Sequence, residues 1–187
     1  TAHPKMRFRF STSNPQDMHE EVLHVIAKHY NICNYIHLPV QSGSTRILKE
    51  MNRQHTREEY MALVDKIKTI LPGCSISQDL ISGFPTETED DHKDTLSLMR
   101  YVQYDFGYMF SYSERPGTLA ARKMEDDVPE EVKKRRLQEI VDLQQELSYE
   151  RTSRFLDQTV EVLIEKPSKK SDAHWSGRNP ENTVVVF

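Results

Sequence analysis

The spacing of apolar and polar residues changes period repeatedly along this chain, and each change predicts an element. Arg7-Phe8-Arg9-Phe10-Ser11 alternates with the period of a strand, and Asn14-Pro15 breaks it. Val22, Leu23, Val25 and Ile26 support a helix from Asp17 to about Lys28. A second strand runs from Tyr35 to Val40, and Ser44 caps a short helix through Met51. Thr56 followed by Glu59 is a capping box, opening a helix whose stripe is Tyr60, Leu63, Val64, Ile67 and Leu71 until Pro72-Gly73 stops it. Ser75 to Ser82 is a third strand. Thr88 caps the next helix, and its first turn carries Glu89, Asp90 and Asp91, where the helix dipole favours anions. Phe106 to Tyr112 is a fourth strand with Phe106, Tyr108, Phe110 and Tyr112 on one face, a pattern expected to be core. Strand and helix alternate at least three times, the signature of a parallel sheet or βα barrel with right-handed crossovers.

After Arg115-Pro116-Gly117-Thr118 the character changes. Pro129 is expected near N1 of a long amphipathic helix reaching about Asp157. The Lys133-Lys134-Arg135-Arg136 run at its start reads as a solvated face. Val160, Val162 and Ile164 alternate as a new strand, a polar basic loop follows, and a last strand begins near Thr183. These shifts predict a barrel part over 1–128, a connecting helix over 129–157 and a small all-β part over 158–187. The chain opens at Thr1 and ends within an apolar run, so both ends read as cut from a longer polypeptide.

Two strand ends draw attention to chemistry. Leu38-Pro39-Val40-Gln41-Ser42-Gly43-Ser44 and Asp79-Leu80-Ile81-Ser82-Gly83-Phe84-Pro85 each follow an apolar run and precede a helix start. In parallel α/β folds ligands bind at that edge, where loops and helix N-termini converge. Arg53 follows Gln41 by twelve residues, so an amide, a guanidinium and the carboxylate of Asp79 can point at one small polar ligand. Asp79 sits in an apolar strand, where an unpaired carboxylate is costly. Arg115, just beyond a strand end, suits either substrate phosphate or a salt bridge with a loop acid. Arg7 and Arg9 are expected to form a structural network, and His37 to be a satisfied interior residue.

Composition narrows the class. The 187 residues carry a net charge near −4, 36% apolar and 29% charged residues, the balance of a folded globular protein rather than a disordered one. No apolar run approaches the roughly 20 residues that span a bilayer, so no membrane partner is expected. The slight negative charge argues against a protein coated in nucleic acid and leaves room for a local basic patch. Cys33 and Cys74 lie 41 residues apart, which matches no zinc or iron–sulfur spacing. They read as buried thiols of a reducing cytosol. None of the eight histidines forms a ligand pair with a nearby carboxylate, so no metal site is assigned.

Together, the motifs at 7–15, 37–44, 51–53, 79–85, 110–118 and 128–133 resemble the second half of the barrel of radical S-adenosylmethionine (SAM) enzymes. They are most similar to the methylthiotransferases that modify an adenosine beside the tRNA anticodon. The tail Ser176-Gly177-Arg178-Asn179-Pro180-Glu181-Asn182 resembles that family's small RNA-binding TRAM barrel. The resemblance implies an α/β fold: a partial TIM-like (βα) barrel with four of six strands, followed by a truncated OB-like TRAM module. It also implies SAM as cofactor, contacted by Gln41, Ser42 and Asp79, with Arg53 facing the methionine carboxylate and Gly83 and Phe84 approaching the adenine. Arg115, Tyr112, Lys169, Lys170, Trp175 and Arg178 become the substrate or RNA contacts, and the anticodon stem-loop of a cytoplasmic tRNA the partner. The family's two 4Fe–4S clusters need cysteine sets that this sequence lacks. The chain alone is therefore expected to hold no catalytic residue and to do no radical chemistry. Two other readings stay open: the sister enzyme that modifies an aspartate of a ribosomal protein, and an RNA-binding module without activity.

Overall fold

The computed structural model describes residues 3, 6–9, 11, 12, 14–169 and 171–187, and of residue 172 the backbone alone. Two sheets organise these residues. The first has three parallel strands in the order β1 (Tyr35–His37), β2 (Ser75–Ser82) and β3 (Phe106–Ser111). Helices α1 (Glu20–Lys28), α2 (Thr45–Glu50), α3 (Arg57–Ile70) and α4 (Glu89–Val102) alternate with the strands, as the change of period requires. The predicted first strand appears only as isolated parallel bridges, Phe8 to Ile32 and Ser11 to His37, beside β1; Phe10 lies outside the described residues.

The helices cover one face of the sheet. Leu23, Ile36, Leu38, Val64, Ile67, Leu80, Leu98 and Met99 are buried between them. Burying each such side chain contributes about 1.5–3 kcal/mol, and that accounts for the helix stripes read from the sequence. The predicted capping box at Thr56 forms, and the predicted cap at Thr88 turns out to be a second one. Thr56 and Glu59 exchange bonds at the start of α3, and Thr88 and Asp91 at the start of α4. α1 starts three residues later than its apolar stripe suggested, because Pro15–Asp17 forms a separate 3-10 turn.

The long helix α6 (Glu130–Ser153) does more than connect. Ile140, Leu143 and Leu147 join the core, and Gln144 donates to Tyr104 O at 3.0 Å. Pro129 is its N-cap residue rather than N1. The expectation of a solvated Lys133–Arg136 face is overturned, since Lys133 and Arg136 are buried. They continue the stripe of Ile140 and Leu147 at helical spacing, so the same face that buries apolar groups carries two cations at its N-terminal end.

The other face of the sheet is open. The strand register puts Tyr35, His37, Ser77, Asp79, Ile81, Phe106, Tyr108 and Phe110 on it. Tyr108 is 55% and Phe110 53% exposed, so the aromatic row expected to be core is not core in this chain. His37 is satisfied as expected, with Nδ1 2.8 Å from Ser77 Oγ and Nε2 3.5 Å from Asp79 Oδ1.

The second sheet is antiparallel, β4 (Leu163–Ser168), β5 (Ser171–Arg178) and β6 (Val184–Val186), in chain order. Its first strand starts later than the Val160 alternation suggested. Arg7 bonds Arg178 O at 2.9 Å and pairs with Glu161; Arg9 bonds Asn179 O at 2.7 Å. The network expected of these two arginines thus ties the small sheet to the N-terminal edge of the parallel one. Among the described residues no helix is long and apolar enough to cross a membrane.

One glycine is essential to the layering. A Cβ on Gly43 would overlap Thr95 Cα and stand 2.7 Å from Asp94 O, both in the backbone of α4. Gly43→Ala is therefore expected to lower stability by about 1–3 kcal/mol, the usual result of overpacking. Urea denaturation checks this; an unchanged midpoint would show that the loop and α4 separate easily.

Candidate functional site

A cleft of about 600 Å³ opens at the C-terminal ends of the strands. Its wall includes Gln41, Arg53, Asp79, Phe84, Tyr112 and Arg115, six of the residues singled out from sequence. Ile81, Phe110, Glu50 and Leu119 also line it and were not foreseen as site residues. Phe110 was legible as part of the aromatic face, but alternation alone does not say which face lies open.

Local structure explains how each group arrives. Gln41 bridges to Leu80: its N–H donates to Asp79 O at 2.8 Å, and its carbonyl accepts from Ile81 N at 3.0 Å. Its φ of 75° is left-handed, a conformation of about 1–3 kcal/mol strain for a non-glycine residue. The residue is 8% exposed, and its carboxamide is not among the buried unpartnered groups of the described residues but forms part of the cleft wall.

Arg53 is delivered by the end of α2. Asn52, with φ 56°, closes the helix in the left-handed form that asparagine tolerates, and Arg53 N–H then bonds Leu48 O at 2.8 Å. The guanidinium is half-buried, and among the described residues no carboxylate or carbonyl pairs with it. Burial lowers its pKa, and the nearby Asp79 charge partly restores it. It stays protonated at neutral pH. Next to it, burial and the Arg53 charge also lower the pKa of His55.

The aromatic end is built from two loops. Phe84 and Tyr112 meet edge to face, with centroids 5.2 Å apart. Tyr112 N–H bonds Ser82 O at 2.8 Å and so fixes the end of β3 against the end of β2. Burial, with Asp126 and Glu114, raises the Tyr112 phenol, and Lys133 opposes them. Arg115 opens a turn with Pro116 and Gly117 (φ 87°), closed by Thr118, which donates to Arg115 O and caps the short helix α5 (Leu119–Lys123).

Some sequence-predicted residues do not join this wall. Ser42 is buried and its Oγ accepts from Ser44 N at 3.2 Å, so it shapes the loop from within. Gly83 (φ 74°) faces away from the cleft, where a Cβ would overlap Lys133 Cγ; its N–H is held by Glu87 Oε1 at 3.0 Å. Lys169, Trp175 and Arg178 belong to the small sheet. Lys169 and Trp175 are exposed, whereas Arg178 pairs with Glu165 at 2.5 Å. Lys170 lies outside the described residues. A second cavity, of about 320 Å³, joins Arg178 and Thr183 to Asp105 and Phe106, at the start of β3. The small sheet therefore docks at the opposite strand end from the cleft, about 17 Å away along β3.

The cleft fits an adenosyl sulfonium amino acid in size and chemistry. It offers an unpaired guanidinium for a carboxylate, an amide and a carboxylate for amine or hydroxyl groups, and rings for a base. Iron–sulfur ligation does not fit. Among the described residues no group of three or more His, Cys, Asp or Glu side chains is arranged to hold a metal ion. Cys33 and Cys74 are buried, and burial raises both thiols, Cys74 to about 12, so neither offers a thiolate.

Comparison with known proteins agrees with this geometry. The family model described as the radical SAM superfamily matches residues 2–99. A tRNA-2-methylthio-N(6)-dimethylallyladenosine synthase of Flavobacterium psychrophilum is 72% identical over 98% of the chain, and one of Christiangramia forsetii is 72% identical over all of it. The synthase of Chlorobaculum tepidum is 56% identical, again over the whole chain. The chain spans 38%, 39% and 42% of the lengths of these three relatives. Among solved structures, coproporphyrinogen III oxidase from Escherichia coli, described as a radical SAM enzyme, matches with a TM-score of 0.60 and 25% identity. That match covers 73% of this chain and 31% of the oxidase.

Proposed function

Because the chain belongs to the radical SAM superfamily, we propose that it is the cofactor-holding part of a tRNA methylthiotransferase acting on an N6-dimethylallyladenosine beside the anticodon. The observation that carries this reading is the convergence of Gln41, Arg53, Asp79 and the Phe84–Tyr112 pair on one cleft, in a chain 72% identical to synthases named for that product.

Arg53 would grip the methionine carboxylate, whose planar oxygens match its fork of donors. Gln41 and Asp79 would hold the amine or the ribose hydroxyls, with His37 keeping the Asp79 carboxylate in place. Phe84 and Tyr112 would flank the adenine and exclude water from it. Arg115 at the rim would meet a phosphate of the incoming nucleotide, and Phe110 and Leu119 would offer apolar surface to its prenyl group. When bound, and given an electron from a cluster held by the rest of the enzyme, S-adenosylmethionine would supply a methyl group and hydrogen-abstracting radical chemistry; the chain's own residues would bind, orient and shield.

In this reading residues 1–128 are the second half of the barrel, 129–157 the helix that leads out of it and 158–187 part of a TRAM module in a cytoplasmic enzyme. Lys169 and Trp175, exposed on the small sheet, suit the phosphates and bases of an anticodon stem-loop. Arg178 contributes only if it leaves Glu165.

The test uses the full-length enzyme with reconstituted clusters, SAM and tRNA bearing N6-dimethylallyladenosine. Nucleoside mass spectrometry is expected to show the methylthio product. Unmodified tRNA, together with a modified aspartate when ribosomal protein is supplied instead, would overturn the proposal in favour of the sister activity.

A further inference from the structure

The buried lysine at the start of α6 touches the cleft's aromatic wall from behind. Lys133 is 1% exposed, and its Nζ donates to Asp126 at 2.5 Å and Glu130 at 2.9 Å. The same ammonium stands 5.6 Å from the Tyr112 ring centroid, within cation–π range. Its aliphatic stem occupies the space that a side chain on residue 83 would need. One side chain thus contacts both Gly83 and Tyr112, and Phe84, the neighbour of the first, packs edge-on against the second.

We propose that Lys133 is a positioning residue for this wall. Its stem fixes the turn that presents Phe84, and its charge, held steady by two carboxylates, fixes the plane of Tyr112 from the side away from the ligand. A lysine needed only to pin α6 would be satisfied by Asp126 and Glu130 at the surface. Its passage between Gly83 and Tyr112 is what links it to ligand binding. A neighbouring contact leaves the charge of Lys133 this separate role: Arg136 bonds Glu87 Oε1 at 2.9 Å, and the same oxygen holds Gly83 N–H, so the backbone of the turn is secured independently.

The inference rests on the cleft being the SAM site, and its test separates the two. S-adenosylhomocysteine is titrated calorimetrically into the full-length enzyme with reconstituted clusters and into its variants. Lys133→Met keeps the stem and removes the charge, and leaves Asp126 and Glu130 partly exposed to water. The expected result is about tenfold weaker binding, a melting temperature near that of the wild type, and recovery of most of the affinity in Lys133→Arg. In ¹³C-tyrosine spectra of the Met variant, the Tyr112 ring signal should lose the shift imposed by Phe84. Unchanged affinity in Lys133→Met, or equal losses in the Met and Arg variants, would overturn the positioning role and leave the cleft reading standing. A wild-type full-length enzyme that binds no S-adenosylhomocysteine would bring down the cleft reading, and this proposal with it. If the Met variant does not fold, Lys133→Gln is put through the same comparison, with the same outcomes deciding.

Discussion

Arg53→Met is expected to weaken S-adenosylhomocysteine binding by roughly 10–100-fold while leaving the fold at least as stable as before. The first part follows from charge-assisted hydrogen bonding: a bond to an ionised partner contributes about 1.5–3 kcal/mol, and Arg53 is one of the two arginines that line the cleft. The second part follows from what Arg53 does not do. Among the described residues no acid or carbonyl pairs with it, and burial already works against its charge. Removing it breaks no internal bond and relieves a half-buried cation. Lost binding with retained stability separates a ligand-binding arginine from a structural one. Arg53→Lys should recover only part of the affinity, since an ammonium cannot meet two carboxylate oxygens in parallel. Calorimetric titration and thermal melts decide it: a lower melting temperature with unchanged affinity would make Arg53 a structural residue.

Much of this site could be read from the sequence because it sits at strand and helix ends, where the code is local. Asn52 and the end of α2 announce where Arg53 emerges, Pro116-Gly117 announces the turn behind Arg115, and the helix caps at Thr56 and Thr88 lie where the sequence put them. What escaped the sequence depends on tertiary direction. The run Lys133–Arg136 looks solvated by composition, yet extending the Ile140–Leu147 stripe backwards by helical steps lands on Arg136 and Lys133. The clue was in the period, and the charge concealed it. The aromatic face of β3 was legible as a face, but whether another layer covers it is not written in β3. Arg178 looked like an RNA contact because it lies among basic residues, and its pairing with Glu165 arises only from the register of β4 on β5. Gly83 was expected to bring backbone up to the adenine, but the neighbour that forbids a side chain there is residue 133, fifty positions away.

That same separation governs how a tRNA could engage the chain. The cleft lies past the end of β3 and the small sheet docks at its beginning, with Arg7 and Arg9 as the tether. An RNA touching both must span at least the length of the strand, about 17 Å. A stem-loop does so readily and a single nucleoside does not. In the proposed function, binding by the small sheet and selection in the cleft would be separable, and affinity for the stem-loop should depend on salt far more steeply than affinity for the cofactor analogue.

The largest loss of stability is expected at Asp91, which stands where two helix starts meet. Its carboxylate accepts from Ser44 Oγ at 2.6 Å, from Thr88 N at 2.8 Å and Thr88 Oγ1 at 2.6 Å, and pairs with Arg46. Ser44 caps α2 and Thr88 caps α4, so one buried acid joins the Gln41–Ser44 loop to the loop that carries Phe84. Burial alone would raise its pKa, but the donors of Arg46, Ser44 and Thr88 outweigh burial and hold the carboxyl well below the usual aspartate range. Asp91→Ala strands those donors and should lower stability by about 3–5 kcal/mol, the typical effect of removing one partner of a buried charged network. Asp91→Asn should lose less, because one acceptor remains. The pH dependence has a fixed sign. A depressed folded-state pKa contributes stability that is fully present above the unfolded value, about 3.9, and that is lost as pH falls through the folded-state value. Urea denaturation of wild type and Asp91→Asn should therefore show a constant gap from pH 7 to about 5, narrowing steadily below pH 4. A gap that widens with acid, or none at neutral pH, would mean that the two helix starts are held by their own threonine and serine caps and that Asp91 is a bystander between them.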